Sequence, residues 1–138
     1  MANQLDIQLN LEAEVQIFQN SFGIDVNYPN TKYIPVEGVD YIKISYINGD
    51  VFQRQISEDS PNRSFIIMQL DIFVSPNEGK IRAKEIIDAL EVYFKRGLTI
   101  NNNTLRTRIT NFVAYTNKED TVNFNPFVQI TTRTDYPN

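Results

Sequence analysis

The stretch "SFIIMQLDIFVSPNEGKIRAKEIIDALEVYFKRG", residues 64–97, changes its apolar period once, and that change decides the fold. Up to Val74 the period is two. Ile66, Met68, Leu70, Ile72 and Val74 share one face of a strand, while Gln69 and Asp71 point the other way. Phe65, Ile67 and Phe73 lie on that second face, so it is only partly solvated, and a strand this long and apolar belongs near the centre of a sheet. From Ala83 the period becomes helical: Ala83, Ile87, Leu90 and Phe94 form a stripe, widened by Ile86 and Tyr93. Ser75-Pro76-Asn77-Glu78 between them reads as a capping box, with Glu78 reaching back to the amide of Ser75. Lys95 and Arg96 suit the negative end of a helix dipole, and Gly97 follows as the residue that stops it.

Toward the N-terminus, Ile7, Leu11, Val15, Phe18 and Phe22 recur at helical spacing, with Asn3 and Asp6 as cap candidates and Gly23 as a stop. Tyr41 to Ile47 reads as a strand, Asn48-Gly49 as a hairpin turn, and Val51 to Ile56 as the returning strand. Residues 57–63 are a polar loop rich in turn formers. Toward the C-terminus, Leu105 to Tyr115 and Phe127 to Arg133 alternate as strands, joined by the polar stretch 116–126. The order predicts a single α+β domain over residues 1–138. Its sheet would be mostly antiparallel with four to five strands, two helices on one face and long loops.

The formal charge of −4, with no basic stripe, argues against a free-standing nucleic-acid-binding domain. The sequence contains no cysteine and no histidine, which removes thiol nucleophiles, disulfides, and the commonest general base and transition-metal ligand. Glu58-Asp59 and Glu119-Asp120 are adjacent acids in polar loops and read as solvated surface. The start lacks the basic and apolar regions of a signal peptide, and no apolar run approaches a membrane span. The expectation is an intracellular, soluble, non-catalytic domain with no cofactor, no metal and no membrane partner.

What remains are segments that would act by contact. Residues 23–38, "GIDVNYPNTKYIPVEG", follow neither period, yet hold two prolines and two tyrosines. An irregular stretch longer than about 12 residues is usually functional or disordered, and the apolar content here argues against disorder. Tyr28 and Tyr33 suit either an interface between subunits or a cover over the open end of the sheet. The excursion from Asn48 to Arg63 carries Phe52, Arg54, Glu58, Asp59 and Arg63, an aromatic with both charge signs. Arg106 and Arg108, two apart on one strand, read as a carboxylate-binding pair or as a solvated sheet surface.

Several of these stretches together resemble a known family. "IDVNYPNTKYIP" (24–35), "YIKISYI" (41–47) and "DIFVSPNEGKIRAKEIIDALEVYFKRG" (71–97) resemble the tail-terminator and tail-completion proteins of long-tailed phages. Val26, Tyr28, Asn30, Tyr33 and Pro35 match that family's aromatic-Asn-aromatic-Pro pattern. Phe73, Gly79 and the helix to Phe94 match its strand and the glycine that opens its helix, and "FVQIT" (127–131) resembles its last strand. The resemblance implies a structural virion protein, assembled in the host cytoplasm, that forms a hexameric ring on the head-proximal end of the tail tube. Such a ring stops tube polymerisation and offers a docking surface to the head connector. Its partners would be further copies of itself, the tail tube protein and the connector or neck protein, with DNA only passing through the lumen. A head-tail joining protein, or a small α+β ligand-binding module or enzyme, are the alternatives.

Overall fold

A computed structural model describes residues 4–29, 31–36, 38–53, 62–74, 79–102, 105–115 and 126–136. The first element is helix α1 (Gln4–Phe22), which turns Ile7, Leu11, Val15 and Phe18 inward. It stops at Gly23, whose amide donates to the Gln19 carbonyl at 2.8 Å with φ at 83°, a left-handed conformation that side chains rarely adopt. The cap expected at Asn3 lies outside the described residues.

Six strands follow: β1 (Asp25–Asn27), β2 (Tyr41–Gln53), β3 (Asn62–Phe73), β4 (Thr99–Asn102), β5 (Leu105–Tyr115) and β6 (Phe127–Tyr136). Helix α2 (Gly79–Phe94) stands between β3 and β4. The strands form one curled sheet in the order β1-β2-β3-β6-β5-β4, antiparallel throughout except for β1 against β2. The expected α+β class therefore holds, but the sheet has six strands rather than four to five. The two additional strands, β1 and β4, are three and four residues long, too short to display an alternation. Both lie at edges, where pairing on one side suffices.

As its pattern required, β3 is central, between β2 and β6. Ile66, Met68, Leu70 and Ile72 are buried, and the opposite face with Phe65, Ile67 and Phe73 is half-buried. The hairpin expected at Asn48-Gly49 is a correction. β2 runs straight through those residues, and its register against β3 slips between Asn48 (opposite Ile66) and Val51 (opposite Ser64). One extra residue on β2 makes this a bulge, which bends a strand without ending it. The physical reason is β3 itself: a turn at 48–49 would strip Asn62 to Ser64 of their ladder partners on the β2 side, which now extend to Gln53. Residues 54–61, which link β2 to β3, lie outside the described residues, as does the capping box expected at 75–78.

A second register slip, between Ile109 and Asn111 on β5, keeps the right residues inside. Before it Leu105, Thr107 and Ile109 face the helices; after it Phe112 does. Without the extra residue, strict alternation would send Phe112 to the outer face. At the end of α2, Gly97 (φ 91°) donates its amide to the Ile109 carbonyl at 2.7 Å, and the Ile109 amide donates to Leu98 at 2.8 Å, so the chain turns directly into β4.

Both helices lie on the same face of the sheet and share one buried cluster with it. Each fully buried aliphatic or aromatic side chain contributes about 1.5–3 kcal/mol by leaving water. Phe18 stacks on Phe22 (5.3 Å) and meets Tyr93 edge-on (5.7 Å), which joins α1 to α2. Arg82 of α2 adds a second tie. Its guanidinium lies 5.1 Å from the centre of the Phe22 ring and donates to Asp40 at 2.9 Å. Four buried polar side chains are satisfied internally: Asn10 donates to Thr107 (3.4 Å), Thr107 meets Thr134 (2.9 Å), and Thr132 donates to the Ile66 carbonyl (2.8 Å).

Candidate functional site

Among the described residues no group of His, Cys, Asp and Glu could hold a metal, and no helix is long and apolar enough to cross a membrane. The notable features are surfaces, and they fall on three sides of the fold.

The outer face of the sheet, away from the helices, is graded along its strands. At one end Tyr33, Tyr41 and Phe73 pack in series, with ring centres 5.2 and 4.5 Å apart, and Tyr115 stacks on Phe127 at 4.9 Å. In the middle, Gln129 donates to Gln69 (3.1 Å) and Gln69 to Asp71 (3.0 Å). At the other end lie arginines. Arg106 and Arg108 are both exposed on β5, opposite Asp135 and Arg133 on β6. The ladder also places Arg63 opposite Asp135 and Phe52 opposite Arg63, so Phe52, Arg63, Asp135 and Arg106 occupy one row across four strands. Three of the residues singled out from the sequence, far apart in the chain, thus share one register row. Arg133 Nε is buried and makes no hydrogen bond.

The tyrosines of the irregular segment turn toward the body of the protein. Tyr28 packs against the core and donates to Gln19 Oε1 at 2.8 Å, and burial, with Glu12 second, pushes its phenol pKa up. Tyr33 donates to Asp25 Oδ2 at 3.3 Å while its ring rests on Tyr41. What faces outward instead is aliphatic. Ile34, Pro35 and Val36 are consecutive and exposed, Ile34 at 71% and Val36 at 57%. Reading the tyrosines as the signal of this segment passed over these neighbours; an apolar run in a stretch without period was the clue available. Arg54, Glu58 and Asp59 lie outside the described residues.

The third surface is a concave one. A groove of about 300 Å³ opens beside α2, which supplies Lys80, Ala83, Lys84 and Ile87. Its far wall is Ala114, Tyr115 and Pro126. Lys84 donates to Asp88 at 2.6 Å, and that bond holds its ammonium pKa above the ordinary value.

The model of the phage tail terminator protein family matches residues 6–124. The chain belongs to that family. Membership makes it a structural component of a phage tail, and the sequence resemblance through residues 24–97 is accounted for. No curated protein matches the chain. A solved structure sharing 16% identity superposes with a TM-score of 0.66, covering 99% of this chain and 96% of its own. At that identity the likeness speaks for the fold alone.

Proposed function

We propose that this family member forms a homo-oligomeric ring, six-fold as the resemblance implies, on the head-proximal end of the tail tube. There it terminates tube polymerisation and offers a docking surface to the head connector. The observation that carries the reading is the family match over residues 6–124. The surfaces support it: a ring subunit meets its neighbours through two different patches and still needs faces for the tube and the connector. The exposed apolar run at 34–36 and the groove beside α2 are two such patches for neighbours. The outer sheet face, with Arg106 and Arg108 and the register row through Phe52 and Arg63, is assigned to the tube or connector, and Arg54, Glu58 and Asp59, from the sequence, to a neighbouring subunit or the tube. Tyr28 and Tyr33 enter as supports that hold the segment in place for its contact.

The experiment is a phage carrying a null allele of this gene, with tails measured by electron microscopy. Overlong or polydisperse tubes, restored to one length by the wild-type protein, are expected. Tails of normal length that fail to join heads would assign the protein to the neck instead. Normal virions would reject both roles.

A further inference from the structure

Three consecutive exposed apolar residues on a monomer surface are an error unless something covers them. Ile34, Pro35 and Val36 are such a run, and they are held out on a well-anchored support. Behind them Tyr33 is fixed on Tyr41 and Asp25. Ahead of them the Val39 amide donates to the Val36 carbonyl at 3.1 Å, and Asp40 is clamped by Arg82. Pro35 limits the backbone further, so little entropy remains to be lost when the segment docks. A preorganised apolar projection calls for a concave apolar acceptor.

The groove beside α2 has that form, and the same molecule cannot fill it with its own projection. Arg82, which anchors the base of the projection, and the groove residues Lys84 and Ile87 leave α2 on nearly opposite sides, because helical positions advance by about 100° per residue. Projection and acceptor therefore sit on opposed flanks, the arrangement of a head-to-tail contact that closes into a ring. Size agrees, since about 300 Å³ accommodates a few aliphatic side chains. Charge agrees as well. Asp40 is held by Arg82 and Lys84 by Asp88, while Glu37 follows the apolar run in the sequence and Lys80 stands on the groove rim, one charge of each sign.

We infer that Ile34-Pro35-Val36 of one copy inserts into the Lys80/Lys84-rimmed groove of the next copy, and that this contact is the repeating joint of the ring. The inference rests on the ring reading above and specifies its interface.

The absence of cysteine from the sequence makes the test direct. Val36→Cys and Ala114→Cys are substitutions at exposed positions, one on the projection and one on the groove wall. Mixed and oxidised, the two single-cysteine proteins should give a disulfide-linked dimer that neither forms alone. The doubly substituted chain should give a ladder ending at the full ring. Ile34→Asp should shift the native mass from ring to monomer while leaving the melting temperature of the subunit unchanged. Lys80→Glu should weaken the ring, and Glu37→Lys in the same chain should restore it. If the wild-type protein is a ring but Val36→Cys pairs only with itself, or no cross-link forms, the joint lies elsewhere and the ring reading survives. If the wild-type protein is monomeric both alone and on tail tubes, the joint and the ring reading fall together.

Discussion

Tyr46 of β2 donates its hydroxyl hydrogen to Glu12 Oε2 of α1 at 2.7 Å, across the boundary between sheet and helix. The same hydroxyl lies 3.4 Å from the Gln8 carbonyl. Burial first, and the bond to Glu12 second, push the phenol pKa well above its ordinary value of 10.0. The folded protein thus holds this proton more tightly than the unfolded chain. The stabilisation is complete below about pH 10 and declines above it, as the unfolded chain ionises first, by up to about 1.4 kcal/mol per pH unit. Tyr46→Phe should cost about 1.5 kcal/mol at neutral pH and should flatten the alkaline fall in stability. Equal slopes for the two proteins in urea unfolding between pH 9.5 and 11 (chosen to bracket the ordinary tyrosine pKa) would show that Tyr46 is not the responsible group.

Glu14 gives the opposite sign at ordinary pH. Burial on α1 raises its carboxyl pKa above 4.5. A carboxyl with a raised folded pKa contributes its full stabilisation below the unfolded value and loses it as pH rises through the folded value. At pH 7 the ionised group is therefore a cost. Glu14→Gln should raise the melting temperature at pH 7 and bring no gain below about pH 4. A melting temperature unchanged at pH 7 would remove burial as the cause.

Leu70 on β3 and Leu90 on α2 face each other's layer, and both are fully buried. Either one changed to Ala should cost about 2–5 kcal/mol, the transfer term plus the cavity left behind. Losses under about 1 kcal/mol at both sites would mean that the layers are packed through other residues.

These two leucines also mark how far the sequence could be read. Strong periods translate directly into buried faces, so α1, α2, β3, β5 and β6 were legible from their apolar spacing. β1 and β4 were not, because strands of three and four residues cannot show a period, and their pairing is dictated by neighbours distant in the chain. Asn48-Gly49 shows the reverse fault. Its local turn preference is overridden by the length of β3, a non-local fact, and survives only as a bulge. In the candidate site, the side chains of the segments singled out from the sequence sort by tertiary contact. Tyr28 and Tyr33 found partners on the body, leaving Ile34 and Val36 outside.

Arg106 and Arg108 allow the proposed contact with tube or connector to be tested apart from the proposed joint between subunits. Both are exposed on the outer face of β5, at the opposite end of that strand from the groove residues Ala114 and Tyr115. Exposed substitutions usually change stability by no more than about 0.5 kcal/mol, so Arg106→Glu with Arg108→Glu should melt close to the wild type. The double variant should also keep the native mass of the ring, since the proposed joint does not involve β5 at these positions. Reversing two charges beside Arg133 and Asp135 should nevertheless weaken contact with the tube or connector, because like charges across an interface slow association and cost affinity. Complementation of the null phage with this variant should then yield overlong tails, or tails without heads, at wild-type protein levels. Virions of normal length and number would move the tube and connector contacts off this face and onto the aromatic end at Tyr41, Phe73 and Phe127. A variant that loses the ring mass as well would instead place the joint between subunits on the sheet, against the groove.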